Sequence, residues 1–71
     1  MDVPTMNVAK YIQNTGINLT ALARKTGISY FKLYNSLSNK NLDRDLKAGE
    51  YLTICQHLGL DPMRFAEEPK M

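Results

Sequence analysis

"NLTALARKTGISYFKLYNSLSN", residues 18–39, holds two short apolar-periodic segments with almost nothing between them. Asn18 offers an N-cap oxygen to the first, which carries Leu22 and Ala23 and ends at Gly27. Ser29 caps the second, where Leu33 and Leu37 stand four apart and so share a helical face. A chain stopped at residue 27 and restarted at residue 29 must turn sharply, and glycine's access to positive φ makes that turn possible. Ala23 is small enough to let the second of these helices approach the first, while Leu22, Ile28 and Leu33 fill the wedge.

Outward from this pair the chain keeps the same grammar. Val8, Ala9 and Ile12 recur at helical spacing after Pro4-Thr5, until Asn14-Thr15-Gly16 stops them. On the other side, Asn39 takes the place of a left-handed C-terminal residue, and residues 39–46 read as a polar, basic loop. A further helix is expected over Lys47–Leu58, burying Leu52, Cys55 and Leu58 and ended by Gly59. Asp61-Pro62 then caps and opens a short last helix through Phe65 and Ala66. No stretch alternates apolar and polar residues long enough for a strand. The reading is all-α: one compact domain over residues 1–71, about five short helices with a core from about 5 to 66 and a short tail at 67–71.

Composition bounds the function. A chain of 71 residues, 44% hydrophobic and 23% charged, has the balance of a folding globular domain and no room for a substrate domain. One cysteine, Cys55, allows no internal disulfide, and it fits a small buried apolar residue. His57, the single histidine, lies about 200° round the helix from Cys55, too far to share a metal. With no phosphate loop, nucleophile–base pair or carboxylate cluster, we expect no enzyme, no cofactor, no metal and no small-molecule ligand. The start "MDVPTMNV" reads as neither a signal peptide nor a membrane span, so a cytoplasmic protein is expected. Charge is uneven: Lys10 to Lys47 holds seven bases and two acids, and Ala48 to Met71 two bases and four acids. A basic front and acidic back would draw a phosphate backbone to one side only.

The 18–39 stretch resembles the helix-turn-helix of the Cro and lambda-repressor-like DNA-binding family. The alanine, the turn glycine, the apolar residue after it and the apolar residue five further on are all in place. The likeness extends to a preceding helix, a polar loop and "YLTICQHLGLDPMRF". Departures are Thr26 where an apolar residue is usual, Leu19 where a glutamine often meets DNA, and Leu37 for a polar residue. The resemblance implies a lambda-repressor-like bundle with a central helix-turn-helix, and a phage or bacterial transcriptional regulator, in particular a repressor, that reads double-stranded DNA with the helix near 29–38. It also implies a homodimer on palindromic sites, strengthened on the DNA; Tyr51, Leu60, Met63 and Phe65 are the candidate apolar residues for it, each equally a candidate for the core.

Helical phase divides the third helix. With Leu33 at the centre of its buried face, Leu37 falls near it, Ser36 and Tyr30 lie to the sides, Lys32 and Tyr34 flank, and Phe31 and Asn35 point away. Tyr30 serves either the wedge or a partner. Carried onto these positions, the family's base contacts are Tyr30, Phe31, Tyr34, Asn35 and Ser38, with asparagine suited to an adenine edge and phenylalanine to a thymine methyl. Phosphate contacts are expected from Asn18, Thr20, Lys32, Asn39, Lys40, Asn41 and Arg44; Asp43 or Asp45 is an alternative partner for Arg44. The competing function is a protein-interaction module, an anti-repressor or adaptor, gripping its partner with the same aromatics.

Overall fold

The computed structural model describes residues 2–39, 41 and 44–68 of the chain. Asp2 accepts the Thr5 N–H at 3.0 Å and, with Pro4 in the first turn, starts α1 (Val3–Thr15). Thr5, Val8, Ala9 and Ile12 line its buried stripe, and Gly16 closes it in the left-handed conformation. Asn18 accepts the N–H groups of Thr20 and Ala21 to cap α2 (Leu19–Thr26), and Gly27, at φ 73°, ends it.

The turn into α3 (Tyr30–Leu37) explains the departure at Thr26. Its hydroxyl donates to the Leu22 carbonyl at 2.8 Å and accepts the Ile28 N–H at 3.3 Å, so a polar side chain satisfies the backbone where an apolar one would fill space. Ser29 sits at the N-cap as expected, but its side chain makes no cap hydrogen bond. Asn39 is not left-handed: among the described residues only Gly16, Gly27 and Gly59 have positive φ. Ser38, at φ −130°, ends α3, and the Ser38 and Asn39 N–H groups both donate to the Tyr34 carbonyl.

Lys47 is the N-cap of α4 (Ala48–Leu58) rather than its first residue, and the Glu50 carboxylate accepts its N–H at 3.0 Å. The buried face of α4 is Tyr51, Ile54 and Cys55. Leu52, expected inside, is 53% exposed, and Leu58 is half-buried. Tyr51, which the sequence leaves open between surface and core, is buried, because its hydroxyl can donate to the Pro62 carbonyl at 2.6 Å while the ring packs in the core. Burial pushes the phenol up to about 12. After Gly59, Asp61 caps α5 (Pro62–Phe65), with Ala66 just beyond its end.

A helix of four residues cannot stand alone. Besides the Tyr51 bond, Asn7 donates to the Phe65 and Glu67 carbonyls, and Tyr11 meets the Phe65 ring edge to face at 5.6 Å. Leu60 and Phe65 are thereby half-buried against the core, which leaves Met63 as the exposed large apolar side chain of α5. The bundle centre is Val8, Ala9, Ile12, Leu22, Leu33, Leu37, Leu46, Tyr51, Ile54 and Cys55. Helix α3 packs on both α1 and α2, and α4 on α2 and α5. The expected all-α bundle of five short helices is therefore present.

Gly27 carries a left-handed backbone with open space around its Cα. Gly27→Ala should therefore cost about 1–2 kcal/mol, from conformation alone. Gly49, inside α4 and equally open but without positive φ, is the control: Gly49→Ala should stabilise by about 0.5–1 kcal/mol. Urea unfolding of the two variants checks the opposite signs.

Candidate nucleic-acid interface

Helix α3 buries Leu33, Ser36 and Leu37 and turns its other edge to solvent. Phe31, expected outside, is 73% exposed, and Tyr30 at 42% and Tyr34 at 39%, which the sequence leaves open, lie on the surface beside it. Tyr30 is the middle ring. It meets Phe31 edge to face at 5.9 Å and stacks on Tyr34 at 6.1 Å with planes 23° apart. Lys32 is exposed beside them, as is Ser38 at the far end.

Asn35 does not point wholly away. It is half-buried, and its side-chain oxygen accepts the Asn39 amide at 3.3 Å, while the Asn39 oxygen accepts the Asn41 N–H at 3.0 Å. These three asparagines thus form a chain that finishes α3. Asn18 spends its oxygen on the α2 cap and retains its amide N–H groups, with Thr20 exposed next to it. Lys40, the remaining loop base assigned to phosphate, lies outside the described residues, as does Asp43.

Arg44 has a different job from the one expected. Its guanidinium donates to Ser36 Oγ at 2.6 Å and forks onto both Glu50 oxygens at 3.1 Å each. The pair is largely shielded, with side-chain exposures of 24% for Arg44 and 13% for Glu50. Because Glu50 also accepts the Lys47 N–H, one carboxylate ties α4's first turn to the last turn of α3 through a single arginine. Among the described residues the acidic partner of Arg44 is Glu50. Ser36, which phase had placed at the side of the helix, is fully buried and receives its hydrogen bond from this guanidinium. Thr5 is the matching case on α1: fully buried, it accepts the Leu46 N–H at 2.9 Å and holds the segment that delivers Arg44. Lys47-x-x-Glu50, with an acid three residues after a helix start, was the one local sign of this arrangement.

The charge around α3 is one-sided. No acidic residue occurs from Val3 to Leu42, whereas Lys10, Arg24, Lys25 and Lys32 are all exposed there. Described acids, such as Asp45, Glu50 and Asp61, stand before α1 or after α3. Among the described residues no three His, Cys, Asp or Glu side chains gather as a metal would need, and no helix is long and apolar enough to cross a membrane. Two clefts, about 160 Å³ between α1 and the end of α3 and about 240 Å³ between α2 and Leu58, are smaller than ordinary ligand pockets. No protein-family model, curated protein or solved structure matches the chain.

Burial works to raise the Glu50 pKa, but the Arg44 hydrogen bond and charge and the Lys47 N–H together hold it below the ordinary 4.5. The contribution is therefore complete above about pH 4.5 and is lost as pH falls through the lowered value. Arg44→Ala, which also strips the buried Ser36 hydroxyl of its donor, should cost about 1.5–3 kcal/mol at neutral pH. Glu50→Gln should destabilise at pH 7 and flatten the acid limb of the stability profile, as measured by urea unfolding from pH 7 to 3.

Proposed function

We propose that this chain is a sequence-specific regulator that binds double-stranded DNA, a repressor of bacterial or phage type, with α3 in the major groove. The observation that carries the reading is an outward aromatic edge on a helix held at a tight turn, within three helices free of carboxylates. Eight residues of helix rise about 12 Å, enough to follow three or four base pairs. Base edges fall to Tyr30, Phe31, Tyr34, Asn35 and Ser38. Lys32, Asn39, Asn41, Asn18 and Thr20 set the register on phosphate, the last two through their side chains, since Asn18 already takes the Thr20 and Ala21 N–H groups. Arg44 supports α3 from behind instead of touching DNA.

Two copies on a palindrome, with half-sites about 34 Å apart, is the assembly the family resemblance implies. Tyr51 drops out of the self-contact surface, leaving Met63 with Leu52 as the exposed large apolar residues of α5 and α4. The rival occupant of the α3 edge is a protein, favoured by the degree to which Phe31 is uncovered.

Selection from a random duplex library at moderate salt tests the reading. A motif should be enriched, and binding through about two to four phosphates should weaken with salt at a log–log slope of about −2 to −4. Lys32→Ala should reduce that slope by about one. Enrichment of no motif overturns the proposal, and salt-insensitive capture of a protein through Phe31 puts the adaptor in its place.

A further inference from the structure

We infer that the α3 edge discriminates among base pairs chiefly through the C5-methyl group of thymine, held against the Phe31–Tyr30–Tyr34 ring cluster, rather than through paired hydrogen bonds to base edges. The inference rests on the DNA-binding reading above and names the chemical group that reading leaves open.

Three observations lead to it. First, α3 reads YFKLYNSL: it contains no arginine, glutamine or glutamate, so the bidentate arginine contact to guanine and the carboxylate contact to cytosine have no source on this helix. Second, the one side chain suited to a bidentate adenine contact, Asn35, is half-buried with its oxygen already accepting the Asn39 amide. Reading adenine with both halves of that amide would mean sharing the oxygen with the Asn39 amide, from a side chain that is already half-buried. Third, the most exposed group on the edge is apolar. Phe31 stands 73% free while Tyr30 abuts it edge to face and is itself backed by Tyr34.

A phenyl ring fixed in this way carries no donor or acceptor with which to sense a base edge. What it distinguishes in the major groove is apolar surface, and among the four bases only thymine presents a methyl group there. Lys32, exposed on the flank, is the one cation of α3 that could meet guanine, and the proposed function uses it on phosphate. The tyrosine hydroxyls add hydrogen bonds that either purine or pyrimidine edges accept, so they tune affinity more than sequence.

The test begins from the motif enriched by selection and replaces each thymine in turn by deoxyuridine, which removes the methyl and leaves every hydrogen-bonding group in place. Loss of one buried methyl should weaken binding about fourfold at one or two positions. Phe31→Ala should bind more weakly and no longer distinguish thymine from deoxyuridine at those positions. Phe31→Leu, which keeps an apolar side chain on an exposed site, should fold normally and retain part of the discrimination. An enriched motif without thymine, or one whose thymines are all replaceable at no loss, overturns the inference while leaving DNA binding intact. Equal deoxyuridine sensitivity in the wild type and in Phe31→Ala also overturns it, since another group then meets the methyl. Absence of any enriched motif removes the underlying reading and this inference with it.

Discussion

Burial of Leu33 and Leu37 along one edge of α3 is the constraint on which the rest depends. A helix of eight residues is too short to persist in water by its own hydrogen bonds, so it exists because that edge is covered by α1 and α2. Once the inner edge is committed, the outer one follows from the 100° step of the helix. Tyr30, Phe31 and Tyr34 are outside because Leu33, Ser36 and Leu37 are inside. Arg44 then fixes the helix from the third side by satisfying Ser36, a polar group that the tight core would otherwise leave without a partner.

How far the molecule could be read from its sequence depended on the range of each signal. The caps at Asn18 and Asp61, the stops at Gly16, Gly27 and Gly59, and the stripe through Val8, Ala9 and Ile12 are settled within a turn or two of chain, and each appears where expected. Helix α4 was harder because its apolar residues are too dense to set one phase. Tyr51, Ile54, Cys55 and Leu58 follow the i, i+3, i+4, i+7 pattern and Leu52 lies off it, so Cys55 and Leu58 turn inward while Leu52 does not. The phenol can be buried only because Pro62, eleven residues away, supplies a carbonyl. The intramolecular role of Arg44 is hidden for the same reason. Its partners lie eight residues before it and six after, beyond anything local composition encodes. Of the candidate interface, the outward Phe31 was legible; the side taken by Tyr30 and Tyr34 and the asparagine chain were not.

Under the proposed DNA-binding function, the electrostatics and the aromatic edge would share the work of recognition. Few cations surround α3, so attraction to a polyanion is moderate, yet no carboxylate in α1, α2 or α3 opposes it. The rings make up part of the difference through order. Tyr30, braced on both sides, has little rotamer freedom left to lose, and a braced surface gives up less entropy when covered than three independent side chains would.

Cys55 gives the fold an unplanned property. Its sulfur is completely enclosed beside Ile54 and Tyr51, and burial pushes the thiol up, away from the reactive thiolate. As the sole sulfhydryl of the chain, it is silent toward alkylating reagents for as long as α4 stays seated on α2. The pace at which iodoacetamide consumes it is thus a clock for whole-bundle opening, built into the molecule with no label to attach.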